Sequence, residues 1–377
     1  MSSLKIVADQ QIVLAKEVFS RFGDVELVEG RSIHHDLIKD ANVLLVRSIT
    51  RVNEALLKNS SVSFVGTATS GTDHIDIDYL NNSNITFYDA LGSNARSVAE
   101  YVLSSLLVLS EQKDFDLANK TVAIIGHGQV GSRVSHFLNT LGVKCLVNDP
   151  PLQALNPEND FVEIEDIYQA DIITLHVPLI SDGEFPTYKL VGDKFLEKLN
   201  PDVTIINTSR GQIIDEAALM AFKEENTEAT LILDVWCNEP KINIDLINKT
   251  FIATPHIAGY SYDGKLKATE MLFNDLNSYL DTKLSLPDSF KTEQEILNID
   301  HDEIQLPVLQ SYDVRSDVAA LKQMSNLEEK EHASYFDNLR KNYPIRREFR
   351  NRVIRSSKMT ASTLQKLQQL GFNTATA

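Results

Sequence analysis

The run Thr121-Val-Ala-Ile-Ile-Gly-His-Gly-Gln-Val-Gly131 constrains this chain more than any other stretch. Val122 to Ile125 are apolar at every position, the pattern of a strand covered on both faces of a parallel sheet. Gly126, Gly128 and Gly131, with Gln129 and Val130 between the last two, then give G-x-G-x-x-G where a helix should begin. The first glycine permits a tight turn, the second lets a pyrophosphate approach the backbone, and the third lets helix and strand pack closely. Free N–H groups at the helix start meet the phosphate charge. Alone, such a pattern is weak, with a merely structural turn as the lesser alternative; the strand before it and the helix after it supply the context the dinucleotide reading requires. A second apolar run, Val143 to Asn148, ends in Asp149, 18 residues beyond Gly131, where a carboxylate accepts ribose hydrogen bonds. Pro150 and Pro151 follow, with no nearby arginine for a 2′-phosphate, so the expected cofactor is NAD rather than NADP.

A chain of 377 residues with 43% hydrophobic content supports two or three domains with substantial cores. Its net charge of −17 argues against nucleic acid or an anionic membrane as a general partner. A small anionic substrate remains compatible, because local arginines decide that. Cys145 and Cys237 are the only cysteines, too few for a disulfide framework or a cysteine metal site. Residues 1–9 lack a signal-peptide pattern, and the longest apolar stretch, Val98 to Leu109, contains Glu100. The expected setting is a reducing compartment, most simply the bacterial cytoplasm.

Strands are expected at Leu4–Ala8, Val43–Val46 and Ser63–Gly66, with a helix over Gln11–Phe22, making the first ninety or so residues an α/β domain of their own. Ligands of such sheets collect at the carboxyl ends of strands, which points to Ser48 and Thr69. A long buried helix over Asn94–Gln112 leads into the dinucleotide domain. Its later strands are Asp171–Leu175, Val203–Ile206 and Thr230–Asp234, each followed by a polar loop. A helix from Gly264 to Leu280 returns the chain to the first domain, making that domain discontinuous. Leu284 to Asp302 resembles a linker. Beyond it a third unit is expected: strand Leu306–Tyr312, helical segments from Asp317 to Asn342, strand Glu348–Arg355 and helix Thr360–Leu370.

Three strand-end loops carry Arg210, Glu239 and His256. Singly, each has an ordinary explanation: a helix cap, a Glu-Pro turn, a core or surface histidine. Together, on successive loops of a nucleotide-binding sheet, they divide a chemical task. Arg210 offers a planar fork for a substrate carboxylate and its neighbouring oxygen. His256 titrates near neutrality and can exchange a proton with a hydroxyl. Glu239 can bond the other imidazole nitrogen. Hydride transfer between nicotinamide and a 2-hydroxy acid fits this set.

The Gly126–Gly131 loop, Asn207-Thr-Ser-Arg-Gly211, Asp234-Val-Trp-Cys-Asn-Glu-Pro240 and Thr254-Pro-His-Ile-Ala-Gly259 resemble, in order, the motifs of the D-isomer-specific 2-hydroxyacid dehydrogenases. The resemblance implies a Rossmann-type NAD-binding domain (96–258) and a discontinuous flavodoxin-like substrate domain, or lid (1–95 and 259–285), closing over the ligand. It also implies cofactor contacts from Val177, through its backbone, from Thr208, Ser209 and Arg210, from Asp149 and Asp234, and from the Gly259 backbone. A narrower likeness within the family rests on Val46-Arg-Ser48, Val65 to His74, Pro255 to Tyr260, Leu339-Arg-Lys-Asn-Tyr343 and Arg346-Arg347-Glu348. It implies substrate contacts from Ser48, Thr69 and Tyr260, a phosphorylated 2-hydroxy acid as substrate, and a C-terminal α+β dimerisation domain (286–377) that makes a homodimer. The rival readings are a dehydrogenase of another hydroxy acid, such as 3-phosphoglycerate, and a non-catalytic NAD(H)-sensing corepressor.

Other features take plainer readings. Asp73, His74, Asp76 and Asp78 are expected to start a helix rather than hold a metal. His34 and His35 are expected to be solvated. The basic stretch Arg340–Arg355 is expected to be an exposed or interface surface, with a lesser alternative in which Arg346 or Arg347 meets phosphate within the dimer.

Overall fold

The computed structural model describes residues 4–290 and 292–375. The chain divides into two compact units, Met1–Asn94 with Ser261–Glu293, and Ala95–Tyr260 with Gln294–Ala377.

The first unit is built on five parallel strands, β1 (Leu4–Asp9), β2 (Gly23–Val28), β3 (Val43–Val46), β4 (Phe64–Thr67) and β5 (Thr86–Asp89). Their order is β2-β1-β3-β4-β5, the flavodoxin-like arrangement, with the winding reversing between β1 and β3. Asp9 and Arg47 sit at the carboxyl ends of those two strands and pair at 3.1 Å. The expected helix over Gln11–Phe22 is confined to Ala15–Phe19, because Leu14 takes a positive φ of 55° and interrupts it. The long helix Tyr262–Tyr279 belongs to this unit and buries Leu272, Phe273 and Leu276 with Ile6, Val43 and Phe64.

The second unit holds β6 (Thr121–Ile125), β7 (Lys144–Asn148), β8 (Ile172–Leu175), β9 (Thr204–Asn207), β10 (Thr230–Leu233) and β11 (Ile252–Ala253), all parallel. The order β11-β10-β9-β8-β6-β7 places the reversal between β6 and β8, beside the glycine loop. The helix Ala95–Lys113 is buried at almost every position through Leu109. In the same unit, β12 (Glu295–Asn298), β13 (Arg352–Arg355) and β14 (Asn373–Ala375) form a small parallel sheet.

Residues 294–377 pack in the same compact unit as the dinucleotide-binding sheet. Phe349, Ile354, Leu367 and Phe372 lie in one core with Val102, Leu106 and Phe137. The rings of Phe349 and Phe372 stack at 4.5 Å between centroids. The expected strand Leu306–Tyr312 is a helix, Gln305–Ser311. Pro307 falls in its first turn, where no N–H is required, and the Ser104 hydroxyl donates to the Tyr312 carbonyl just beyond its end. Of the expected strand Glu348–Arg355, only Arg352–Arg355 is extended; Phe349–Asn351 is a 3₁₀ turn. The basic stretch is not simply surface. Arg352 is buried, and Arg346, 5% exposed, donates to the carbonyls of Ala258 and Ser97 at 3.1 and 2.5 Å. Its guanidinium lies 3.6 Å from the Tyr312 ring centroid. Arg346 is thus engaged by backbone carbonyls and an aromatic face rather than standing at the surface.

Candidate active site

In the second unit the glycine loop has the shape its sequence requires. Gly126 takes φ +90°, and a Cβ there would lie 2.5 Å from the His176 carbonyl oxygen. A Cβ on Gly131 would lie 1.9 Å from the Gly126 carbonyl oxygen, so the helix Gly131–Thr140 starts directly against the turn. At Gly128 nothing lies within 4 Å of where a Cβ would be, which leaves the loop open on that side. Asp149 follows β7, and its carboxylate accepts from the His127 amide at 2.7 Å and the Leu152 amide at 3.0 Å. These bonds fix the carboxylate and leave lone pairs for a ribose diol. Val177 stands just after β8, at the winding reversal. An open glycine turn with an acid held beside it fits a dinucleotide.

The loops after β9, β10 and β11 carry Arg210, Glu239 and His256. His256 Nδ1 and Glu239 Oε2 are 2.7 Å apart, and Glu239 Oε1 accepts the Trp236 amide at 3.0 Å. Burial works against the Glu239 charge, but His256, Arg340 and the Trp236 amide outweigh it and hold the carboxyl below its ordinary value. The anion keeps the Nδ1 proton on the ring, so Nε2 is the nitrogen left for chemistry. His256 takes φ +57°, and its amide donates to the Asp234 carbonyl at 2.7 Å. Histidine in the left-handed region is uncommon and persists where its surroundings over-determine it.

Those surroundings centre on Asp234. Expected at the cofactor, its side chain is 1% exposed and is engaged by the His256 loop. Oδ1 accepts from the Thr254 hydroxyl at 2.6 Å and the Ile257 amide at 2.8 Å, and Oδ2 from the Ala258 amide at 2.9 Å. With its own proton committed to Asp234, Thr254 accepts from the Tyr101 hydroxyl at 2.7 Å. The Trp236 indole donates to the Thr254 carbonyl at 2.9 Å.

The Arg210 loop is held as tightly. Asn207 Oδ1 accepts from the Ser209 amide and hydroxyl, and its amide donates to the Arg210 carbonyl. A Cβ on Gly211 would lie 2.0 Å from the Trp236 carbonyl carbon, so the Arg210 and Glu239 loops are in backbone contact. Arg210 Nη1 donates to the Ser209 carbonyl at 2.8 Å, and Thr208 approaches His176 Nδ1 at 3.3 Å. Gly259 and Tyr260 continue the His256 loop.

Of the expected substrate contacts, Tyr260 belongs to this unit, while Ser48 and Thr69 belong to the first. Ser48 is exposed just beyond β3. Thr69 is fixed by Thr67 at 2.9 Å and by the Gly71 carbonyl at 3.0 Å, and Thr67 also meets His74 Nε2 at 2.9 Å. Asp76 caps the helix Ile77–Asn82 by accepting from the Tyr79 amide. His35, expected in solvent, is half-buried with Nδ1 3.0 Å from the Leu56 carbonyl. Sequence reasoning misses Lys265, whose ammonium is pushed down to about 8 by burial and by Arg47. It also gives no role to Tyr101, Thr254 or Arg340.

The family described as D-isomer specific 2-hydroxyacid dehydrogenase, NAD binding domain, matches residues 91–258, and a domain of unknown function, DUF3410, matches residues 289–371. The chain belongs to the D-isomer-specific 2-hydroxyacid dehydrogenase family. More narrowly, it is 42% identical to the erythronate-4-phosphate dehydrogenase of Hahella chejuensis, covering 98% of this chain and 99% of that one. It is 40% identical to that of Klebsiella pneumoniae, over 98% of each. Among solved structures, NAD-bound 3-phosphoglycerate dehydrogenase of Entamoeba histolytica aligns with a TM-score of 0.64 and 26% identity over 74% of this chain and 96% of that one. Aquifex aeolicus D-lactate dehydrogenase shares the fold, with a TM-score of 0.61 and 21% identity over 74% of this chain and 95% of that one.

Proposed function

We infer that this chain oxidises 4-phospho-D-erythronate at C2 to 3-hydroxy-2-oxo-4-phosphooxybutanoate, a step in pyridoxal 5′-phosphate synthesis. The observation that carries the reading is the 2.7 Å Glu239–His256 pair on loops next to that of Arg210, in a chain 42% identical to an erythronate-4-phosphate dehydrogenase over nearly its whole length. NAD, when bound at the Gly126–Gly131 loop, Asp149 and Val177, supplies the acceptor for the C2 hydride. His256 Nε2 takes the 2-hydroxyl proton, and Glu239 stabilises the imidazolium that results. Arg210 holds the carboxylate and the adjacent oxygen with its two-pronged fork, fixing which face of C2 presents its hydrogen. Thr208 and Ser209 keep the Arg210 loop in place, and Asp234 keeps the His256 loop in place. The finer reading is a cytoplasmic homodimer. Among the described residues no helix is long and apolar enough to cross a membrane.

The test is a substrate panel with the purified full-length protein, following NADH formation. 4-Phosphoerythronate should exceed erythronate in kcat/KM by about a hundredfold or more, since a site built for a polar group rejects the analogue lacking it, and should exceed 3-phosphoglycerate, whose phosphate sits one carbon nearer the reacting hydroxyl. Equal turnover of 3-phosphoglycerate would assign the chain to that substrate. Binding of NADH without turnover of any hydroxy acid would favour the sensing role.

A further inference from the structure

The helix Glu329–Lys341 ends in a turn carrying Arg340, part of the Leu339-Arg-Lys-Asn-Tyr343 run that no step above uses. The guanidinium carbon of Arg340 lies 5.6 Å from the Tyr260 ring centroid and 5.9 Å from that of Phe336. Its Nε is buried and has no hydrogen-bond partner among the described residues. Burying a cation is costly unless opposite charge compensates it. Here burial does act against the charge, and Tyr260, Glu239 and Asp234 more than offset it, so the guanidinium stays charged. Tyr260 is gripped on another side by Tyr343, whose ring meets it edge-on with centroids 5.9 Å apart. The Tyr343 hydroxyl donates to Asp317 at 2.9 Å, and Tyr312 donates to the same oxygen at 2.7 Å.

We propose that Arg340 is a positioning residue for the proton-transferring pair, its buried guanidinium set over the ring of Tyr260, which continues the His256 loop. The C-terminal segment then takes part in the reaction from within its own unit. This deepens the function proposed above, and its kinetic arm rests on that reading. A packing role alone would need only the volume of the side chain, whereas the positioning role needs its charge. The other ionisable groups beside Arg340 and the pair, Asp234 and Tyr260 and, on the adjoining loop, Arg210, are common to wild type and variant. A change on substituting Arg340 therefore isolates its charge.

The experiment compares wild type, Arg340→Met and Arg340→Lys as full-length proteins. The first readout is the NMR titration of the His256 ring, which needs no substrate. Loss of a neighbouring cation lets the Glu239–His256 pair take up its proton at higher pH, so the midpoint in Arg340→Met should rise by roughly half a unit or more, and Arg340→Lys should restore it. The second is turnover: kcat should fall about tenfold in Arg340→Met with KM for NAD unchanged, and Arg340→Lys should recover most of the loss. An unmoved midpoint in Arg340→Met, or a Lys variant as impaired as the Met variant, overturns the proposal. If Arg340→Met does not fold, the uncharged but polar Arg340→Gln takes its place beside Arg340→Lys: a raised midpoint in the Gln variant with a wild-type midpoint in the Lys variant supports the charge role, and an unmoved midpoint in the Gln variant overturns it. Wild type failing to turn over 4-phosphoerythronate would reject the substrate assignment, and the His256 titration alone would then decide the role of Arg340.

Discussion

At His256 an imidazole is fixed by an anion on one nitrogen and left available on the other, in a backbone conformation that the Asp234 carboxylate and carbonyl hold in place. His256→Gln should therefore lower kcat by about 10²–10⁴-fold. NADH affinity, read by fluorescence titration, should stay within about twofold of wild type, because the glycine loop and Asp149 are untouched. Near wild-type kcat in this variant would remove His256 from the mechanism. Asp149→Ser should weaken NAD and narrow its advantage over NADP, since one carboxylate both accepts from the ribose and repels a 2′-phosphate; an undiminished preference in kcat/KM would assign discrimination elsewhere. Arg210, Glu239 and His256 are legible in the sequence because each follows a strand within a few residues. Asp234 is legible as a position but not in what its side chain does, because its partners come from 20 to 24 residues further on. Arg340 is visible in the sequence as part of the Leu339–Tyr343 run, but with no sign of what it does. Its link to Tyr260 depends on how the C-terminal segment packs, which no spacing encodes.

Among the elements, the strands buried on both faces announce themselves. Val43–Val46, Ile172–Leu175 and Thr230–Leu233 are buried throughout and lie close to the limits expected for them. The strands that composition does not reveal, β2, β5, β12 and β14, are half-exposed or polar. They lie at sheet edges, where pairing rather than composition makes a strand. The helix Ala95–Lys113 carries a buried acid, Glu100, whose Oε1 accepts from the Phe349 amide at 3.0 Å. Burial first, and then the neighbouring Glu348, push its carboxyl up from an ordinary 4.5 to about 8. The fold thus holds a proton here that the unfolded chain releases near 4.5. The associated stability is complete below that pH and is lost progressively as pH rises towards about 8. Glu100→Gln, neutral at every pH, should show a shallower fall in Tm between about pH 5 and 8 than wild type. Parallel Tm–pH curves for the two proteins would show that Glu100 carries none of that dependence.

For the whole molecule, the packing of residues 294–377 changes how association must be tested. Cutting the chain before Gln294 would strip Phe349, Ile354, Leu367 and Phe372 from the core they share with the helix Ala95–Lys113. Aggregation of such a fragment would then report a broken core rather than a lost interface. The full chain is the proper subject. Its C-terminal segment leaves Ile345 77% exposed and Ile296 47% exposed, the large apolar side chains of that segment open to the proposed second copy. Light scattering on the intact protein should give twice the 42.2 kDa of one chain. Ile345→Asp combined with Ile296→Asp should return the mass to that of one chain while Tm moves by only a few degrees, because neither side chain belongs to the core. A wild-type protein that is monomeric at micromolar concentration and fully active would show that dimerisation forms no part of how this enzyme works.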